Sequence, residues 1–176
     1  SLYGNKGFKR LLKEGRVFTN GEYSFSDGDR ASSVASLYTG STPFENGIVA
    51  SQWLDRSTLR PVYCVDDPSY MGLYTDEKTS PKNLGVSTIG DELKVATSGK
   101  ALVYSISPFR DAAVFAAGHS ADGAFWLNTR TGKWAGTTYY GNTPAWISSY
   151  NDYGALDSRI STLEWTPSNT AVGNFN

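Results

Sequence analysis

The chain has 176 residues, 16 of them basic and 17 acidic, and a net charge of −1, so it carries no field that would steer it to nucleic acid or an anionic membrane. Charged residues at 19% and hydrophobic ones at 39% fit one globular domain with a real core and exclude a disordered chain. No run reaches the roughly 18 apolar residues of a membrane span, and no apolar leader follows Ser1, an absence that is informative only if Ser1 is a true start.

Cys64 is the single cysteine, which excludes an intrachain disulfide and reads as a buried structural thiol. A catalytic thiol needs a nearby base, and the single histidine, His119, is far away in sequence with no local signature linking the two. Zinc takes about three or four ligands from His, Cys and carboxylates. One His and one Cys therefore leave almost everything to Asp and Glu. The 11 Tyr, 8 Phe and 5 Trp show no repeat, and read as core and loop packing before they read as stacking platforms.

Taken in order, Phe8, Leu11 and Leu12 fall at helical spacing with Lys9, Arg10 and Lys13 opposite, predicting a short amphipathic helix over 6–14 closed by Gly15. A strand is expected over 16–20, extending through 22–25. It leads into the stretch that organises the chain, DGDRASSVASLYTGSTPFENGI (27–48). There Asp27, Gly28 and Asp29 offer N-cap chemistry, Ala31 to Tyr38 carry a helix, and Gly40 and Pro43 stop it. Ligands in open α/β sheets gather at such strand-to-helix junctions.

Short strands over 49–54 and 61–65, joined by DRSTLR, form a hairpin-like unit. Residues 66–81 read as mostly irregular, with Asp66 and Asp67 as turn formers before Pro68 rather than metal ligands. Ser87 or Thr88 caps a helix in which Ile89, Leu93 and Ala96 share a face, ending at Gly99. ALVYSIS (101–107) is expected to be a strand covered on both faces, and helix leading into such a strand points to a parallel α/β sheet. A helix over 111–117, a hairpin of 125–127 with 133–140 about TRTG, and a last helix from Pro144 to Tyr150 complete the pattern. The tail from Thr166 to Asn176 is polar and unpatterned and need not be ordered.

Six stretches resemble the alkaline phosphatase superfamily, in particular its type I phosphodiesterase/nucleotide pyrophosphatase branch and the bacterial phosphomonoesterase-like members. They are GFKRLLKEG (7–15), ASLYTGSTPFENGI (35–48), WLDR (53–56), VYCVDDP (62–68), SPKNLGVSTIGDELK (80–94) and GHSADGAFW (118–126). The resemblance covers about 7–151 and is specific because unlike motifs occur in the family's order. It implies a mixed α/β sheet flanked by helices, with 1–151 the N-terminal portion of such a domain and 152–176 a continuation or poorly ordered tail. It also implies phosphate-ester hydrolysis by two zinc ions and a Thr or Ser nucleophile at a helix N-terminus, on phosphate-ester or other anionic small molecules, in the periplasm or outside the cell. The family's first strand, with a zinc-binding Asp, is expected before Ser1, and its remaining Asp and His ligands after Asn176. His119 matches a family position that is not a metal ligand.

The chain departs from that pattern at three places. The nucleophile position falls on Arg30 or within a residue of it, and arginine cannot attack phosphorus. Ser26, Ser32 and Ser33 are the nearest hydroxyls. Where the family has a phosphate-binding Asn, this chain has Ser51, with Gln52 beside it. The family's Lys and Arg after an Ile-Ser strand become Phe109 and Asp111, with Arg110 between them. The candidate anion pocket is thus Asp29, Arg30, Ser32, Ser51, Gln52 and Arg110. Arg30 either binds an anion there or pairs with Asp27, Asp29 or Asp111. Three functional readings follow: a phosphoester hydrolase represented by part of its chain, a pseudoenzyme that keeps the scaffold and binds an anion, and a carbohydrate-binding module using Trp134, Tyr139, Tyr140 and Trp146.

Overall fold

The computed structural model describes residues 6–25, 28–153 and 160–164. The elements run α1 (Phe8–Glu14), α2 (Arg30–Thr39), α3 (Pro43–Asn46), β1 (Gln52–Leu54), β2 (Pro61–Tyr63), β3 (Gly72–Leu73), α4 (Ile89–Ala96), β4 (Tyr104–Ser107), α5 (Arg110–Ala117), β5 (Gly123–Asn128), β6 (Lys133–Thr137), a 3₁₀ turn (Thr138–Tyr140) and α6 (Ala145–Asp152). β1 and β2 form an antiparallel pair. The other strands make one sheet in the order β3-β6-β5-β4, in which β4 and β5 are parallel and the remaining pairs antiparallel. The architecture is mixed α/β.

The core lies where α2 and α5 meet each other and the sheet. Ala31 and Ala35 on α2, and Ala113, Val114, Phe115 and Ala117 on α5, are fully buried. Alanine at four of these positions lets the two helix backbones approach closely, and Phe115 and Trp126 fill the space toward β5. That close packing fixes the N-terminus of α2 beside the N-terminus of α5. α2 starts where its own sequence dictates, after the Asp29 cap, whereas α5 starts at Arg110 after the extended Phe109, which supplies no side-chain cap.

Several expectations need correcting. Residues 16–20 and 22–25 form no strand. Val17, Phe18 and Tyr23 are all exposed, and among the described residues no neighbour pairs the amides of this segment, so it is not a strand leading into α2. The strand expected over 49–54 begins only at Gln52. β4 is a sheet edge rather than a strand covered on both faces, since Tyr104 and Ile106 are exposed while Ser105 is buried. Ile89, Leu93 and Ala96 face outward, and α4 buries Gly90 and Asp91 instead. Pro144 precedes α6 as its N-cap rather than starting it. Of the tail expected over 152–176, residues 154–159 and 165–176 lie outside the described residues, as do Ser26 and Asp27.

Candidate functional site

The head of α2 is built by one carboxylate. Asp29 accepts from the Ser32 backbone N–H at 3.0 Å, and the Ser32 hydroxyl accepts in return from the Asp29 N–H at 3.0 Å, a reciprocal capping box. The second Asp29 oxygen accepts from both the backbone N–H and the hydroxyl of Ser51, which ties the segment before β1 to the helix. Burial alone raises the Asp29 carboxyl, but the hydrogen bonds from Ser51 and Ser32 outweigh it and hold it below its ordinary value. Ser32 is fully buried within this network, so its hydroxyl is engaged in structure rather than presented to a ligand.

Arg30, the next residue, points the other way. Its Nε donates to both carboxylate oxygens of Asp111, at 2.9 and 3.1 Å. Asp111 is completely buried on α5, whereas the Arg30 side chain is 41% exposed. The guanidinium also lies over the Phe109 ring, 4.0 Å from its centroid. The hydrogen bond it donates to Asp111 is the main reason the guanidinium is held even more firmly protonated than usual. Of the partners considered for Arg30, the described residues show Asp111 in contact with it, while Asp29 is taken up by Ser32 and Ser51 and Asp27 lies outside the described residues. Three of the four altered positions, Arg30, Phe109 and Asp111, are therefore one contact: cation, ring and counter-ion assembled from two helix starts.

Arg30 and Phe109 line a cleft of about 630 Å³ together with Tyr63, Arg110 and the turn between β5 and β6. Arg110 pairs with Asp66 at 2.9 Å and Glu77 at 3.5 Å, donates to Thr79 at 3.2 Å, and stacks over Tyr63 at 4.4 Å. Arg130, which also lines the cleft, pairs with Asp76 at 2.8 Å. Every arginine of the cleft thus has its own carboxylate. Burial, and secondarily the Asp111 charge, push the Tyr63 hydroxyl up to about 12. The same two causes push the Cys64 thiol up to about 12, so Cys64 is a neutral buried thiol without nucleophilic character.

The structure therefore joins Asp29, Ser32 and Ser51 in one network and Arg30 and Arg110 in one cleft. Gln52 is exposed on β1 and does not line that cleft. Tyr63 and Glu77 line that cleft, and Asp66 and Thr79 hold Arg110, although sequence reasoning gave none of the four a role there. Each reaches Arg110 across more than thirty positions, a separation at which no local pattern exists. His119 sits elsewhere, its ring 3.3 Å from Asp91 and 3.0 Å from the Leu84 carbonyl. The aromatic candidates are also engaged: the hydroxyls of Tyr139 and Tyr140 donate to the carbonyls of His119 and Gly118, and Trp146 packs edge-on against Phe125 and Tyr104.

The sequence pattern of the type I phosphodiesterase/nucleotide pyrophosphatase family matches residues 3–172. The chain belongs to that family, within the alkaline phosphatase superfamily. It is 40% identical over 153 residues to alkaline phosphatase PhoV of Synechococcus elongatus, which covers 85% of this chain and 28% of the relative. It is 34% identical over 157 residues to alkaline phosphatase PafA of Elizabethkingia meningoseptica, covering 86% and 29%. The crystal structure of wild-type PafA superposes with a TM-score of 0.87 at 31% identity, over 98% of this chain and 33% of that one. A second PafA structure carries changes at one threonine, one asparagine, one lysine and one arginine. The chain thus spans less than a third of the length of these curated relatives.

Family members are in general zinc enzymes. Among the described residues, however, no group of three or more His, Cys, Asp or Glu could hold a metal ion. Asp29, the carboxylate nearest the head of α2, is already saturated by Ser32 and Ser51. The described residues therefore do not fit a two-zinc centre.

Proposed function

We propose that this chain is the N-terminal portion (1–151, continuing into 152–176) of a phosphoester-hydrolase-family domain whose phosphate site is catalytically degenerate. One observation carries the reading: a buried carboxylate, Asp111, occupies the cation that stands where the family's nucleophile is expected. Arginine is protonated at any working pH and cannot serve as a nucleophile, and Ser32 is committed to the helix cap.

Spacing supports the assignment of positions. In the altered PafA the changed threonine and asparagine stand 21 residues apart, the separation of Arg30 and Ser51 here. Its changed lysine and arginine stand two apart, as Phe109 and Asp111 do. The chemical types are inverted at these places. An apolar ring and an anion stand where two cations would attract a phosphate, and a cation stands where a neutral hydroxyl would attack it. Any zinc would be held by residues of a longer chain beyond those described, and by family likeness the protein works in the periplasm or outside the cell.

The test is hydrolysis of p-nitrophenyl phosphate and bis-p-nitrophenyl phosphate by the full-length protein supplied with zinc, with metal content measured in parallel. No turnover above the uncatalysed blank is expected. Chelator-sensitive turnover of either ester would overturn the degenerate reading and restore an intact hydrolase.

A further inference from the structure

We infer that the Asp111 carboxylate is a built-in counter-anion that keeps a latent oxyanion site at Arg30 closed, the ligand class being a tetrahedral oxyanion such as inorganic phosphate or sulfate. The inference rests on the reading above, that phosphate chemistry is lost at this position.

Arg30 is the first residue of α2 and lines a cleft open to solvent, so its guanidinium is sterically within reach of a small anion. What it lacks is an unmet charge. Asp111 presents both oxygens to Nε, and one of them also accepts from the Ala112 N–H at 2.9 Å. That carboxylate is fixed in the first turn of α5 and fully buried, so it cannot swing into water and yield its place. A free anion competes against a tethered one at high effective concentration and meets the repulsion of its charge. The other cations in the cleft do not relieve this, since Arg110 is held by Asp66 and Glu77 and Arg130 by Asp76.

The two members of the pair are not equivalent. Replacing Asp111 by a neutral side chain leaves a guanidinium that already faces solvent, and nothing buried is left charged. The site then becomes a half-exposed arginine above an aromatic ring, an ordinary receptor for a tetrahedral oxyanion.

The full-length protein is titrated with inorganic phosphate and separately with sulfate, followed by calorimetry, as wild type, Asp111→Asn, Asp111→Ser and the double variant Arg30→Met/Asp111→Asn. Circular dichroism reports the fold of each. Wild type is expected to show no saturable binding up to about 20 mM. Asp111→Asn should gain a site at least about tenfold tighter than that bound, and the double variant should lose it. Equal behaviour of wild type and Asp111→Asn overturns the inference, as does binding that persists without Arg30. Failure of both Asp111 variants to fold also overturns it, because a counter-anion must be dispensable to the fold. Ester hydrolysis by wild type would instead overturn the degenerate reading, and the titrations would still decide this one.

Discussion

Removing Arg30 and removing the charge of Asp111 break the same contact with different consequences. Arg30→Met strands a fully buried carboxylate with only the Ala112 N–H for compensation, and is expected to cost about 2–4 kcal/mol, discounted from the full buried-pair value because Arg30 itself meets solvent. Asp111→Asn leaves an exposed cation and is expected to cost less than about 1.5 kcal/mol. Chemical denaturation of the two variants of the full-length protein measures this. Equal losses, or a larger loss in Asp111→Asn, would mean that the pair is not organised around the buried carboxylate. The sequence displays each of these residues as a separate departure from a pattern. That they are one unit depends on a contact across 81 positions, which arises from α2 packing on α5 and has no local trace.

Elements whose boundaries rest on neighbouring residues are legible in the order of amino acids alone. Gly40 ends α2 in a left-handed conformation (φ 67°), Thr88 caps α4, and the TRTG turn joins β5 to β6, all as local rules require. Elements that depend on a distant partner are not. Residues 16–25 have strand-like composition but no strand beside them among the described residues, and β4 reads as a two-sided interior strand although one edge and one face are open. The start of α2 combines both kinds of information, since Asp29 caps its own helix and also holds Ser51 across 22 positions. Asp29→Ala should therefore cost more than an isolated cap, about 2–3 kcal/mol rather than about 1. Asp29→Ser, which can cap but cannot reach both partners, should recover only part of it. Denaturation midpoints of the two variants decide the point: full recovery in the serine variant would reduce Asp29 to a helix cap.

At the scale of the molecule, four carboxylates besides Asp111 link distant segments while sitting partly out of water. Burial pushes Asp29, Asp67, Asp91 and Asp122 upward, yet the hydrogen bonds and charges around them prevail and each is held below its ordinary value. Groups depressed in this way stabilise the fold fully above the unfolded carboxyl value of about 4 and lose that contribution as the pH falls through their folded values. Asp91 is the sharpest case. One of its oxygens accepts from the backbone N–H groups of His119 and Ser120, at 2.8 and 2.7 Å, and the other from the N–H and hydroxyl of Thr88, at 2.8 and 3.0 Å. It thereby ties the start of α4 to the end of α5. An asparagine there retains one accepting oxygen and turns an NH₂ toward donors, so Asp91→Asn should cost about 2–3 kcal/mol at pH 7. Because that loss comes from the ionised form, the gap in Tm between wild type and variant should be constant from about pH 5 to 8. It should narrow below about pH 4, as wild-type Asp91 itself takes up a proton. A gap that stays the same width down to pH 3 would show that the carboxylate's charge contributes nothing there, and that Asp91 joins the two helices by shape alone.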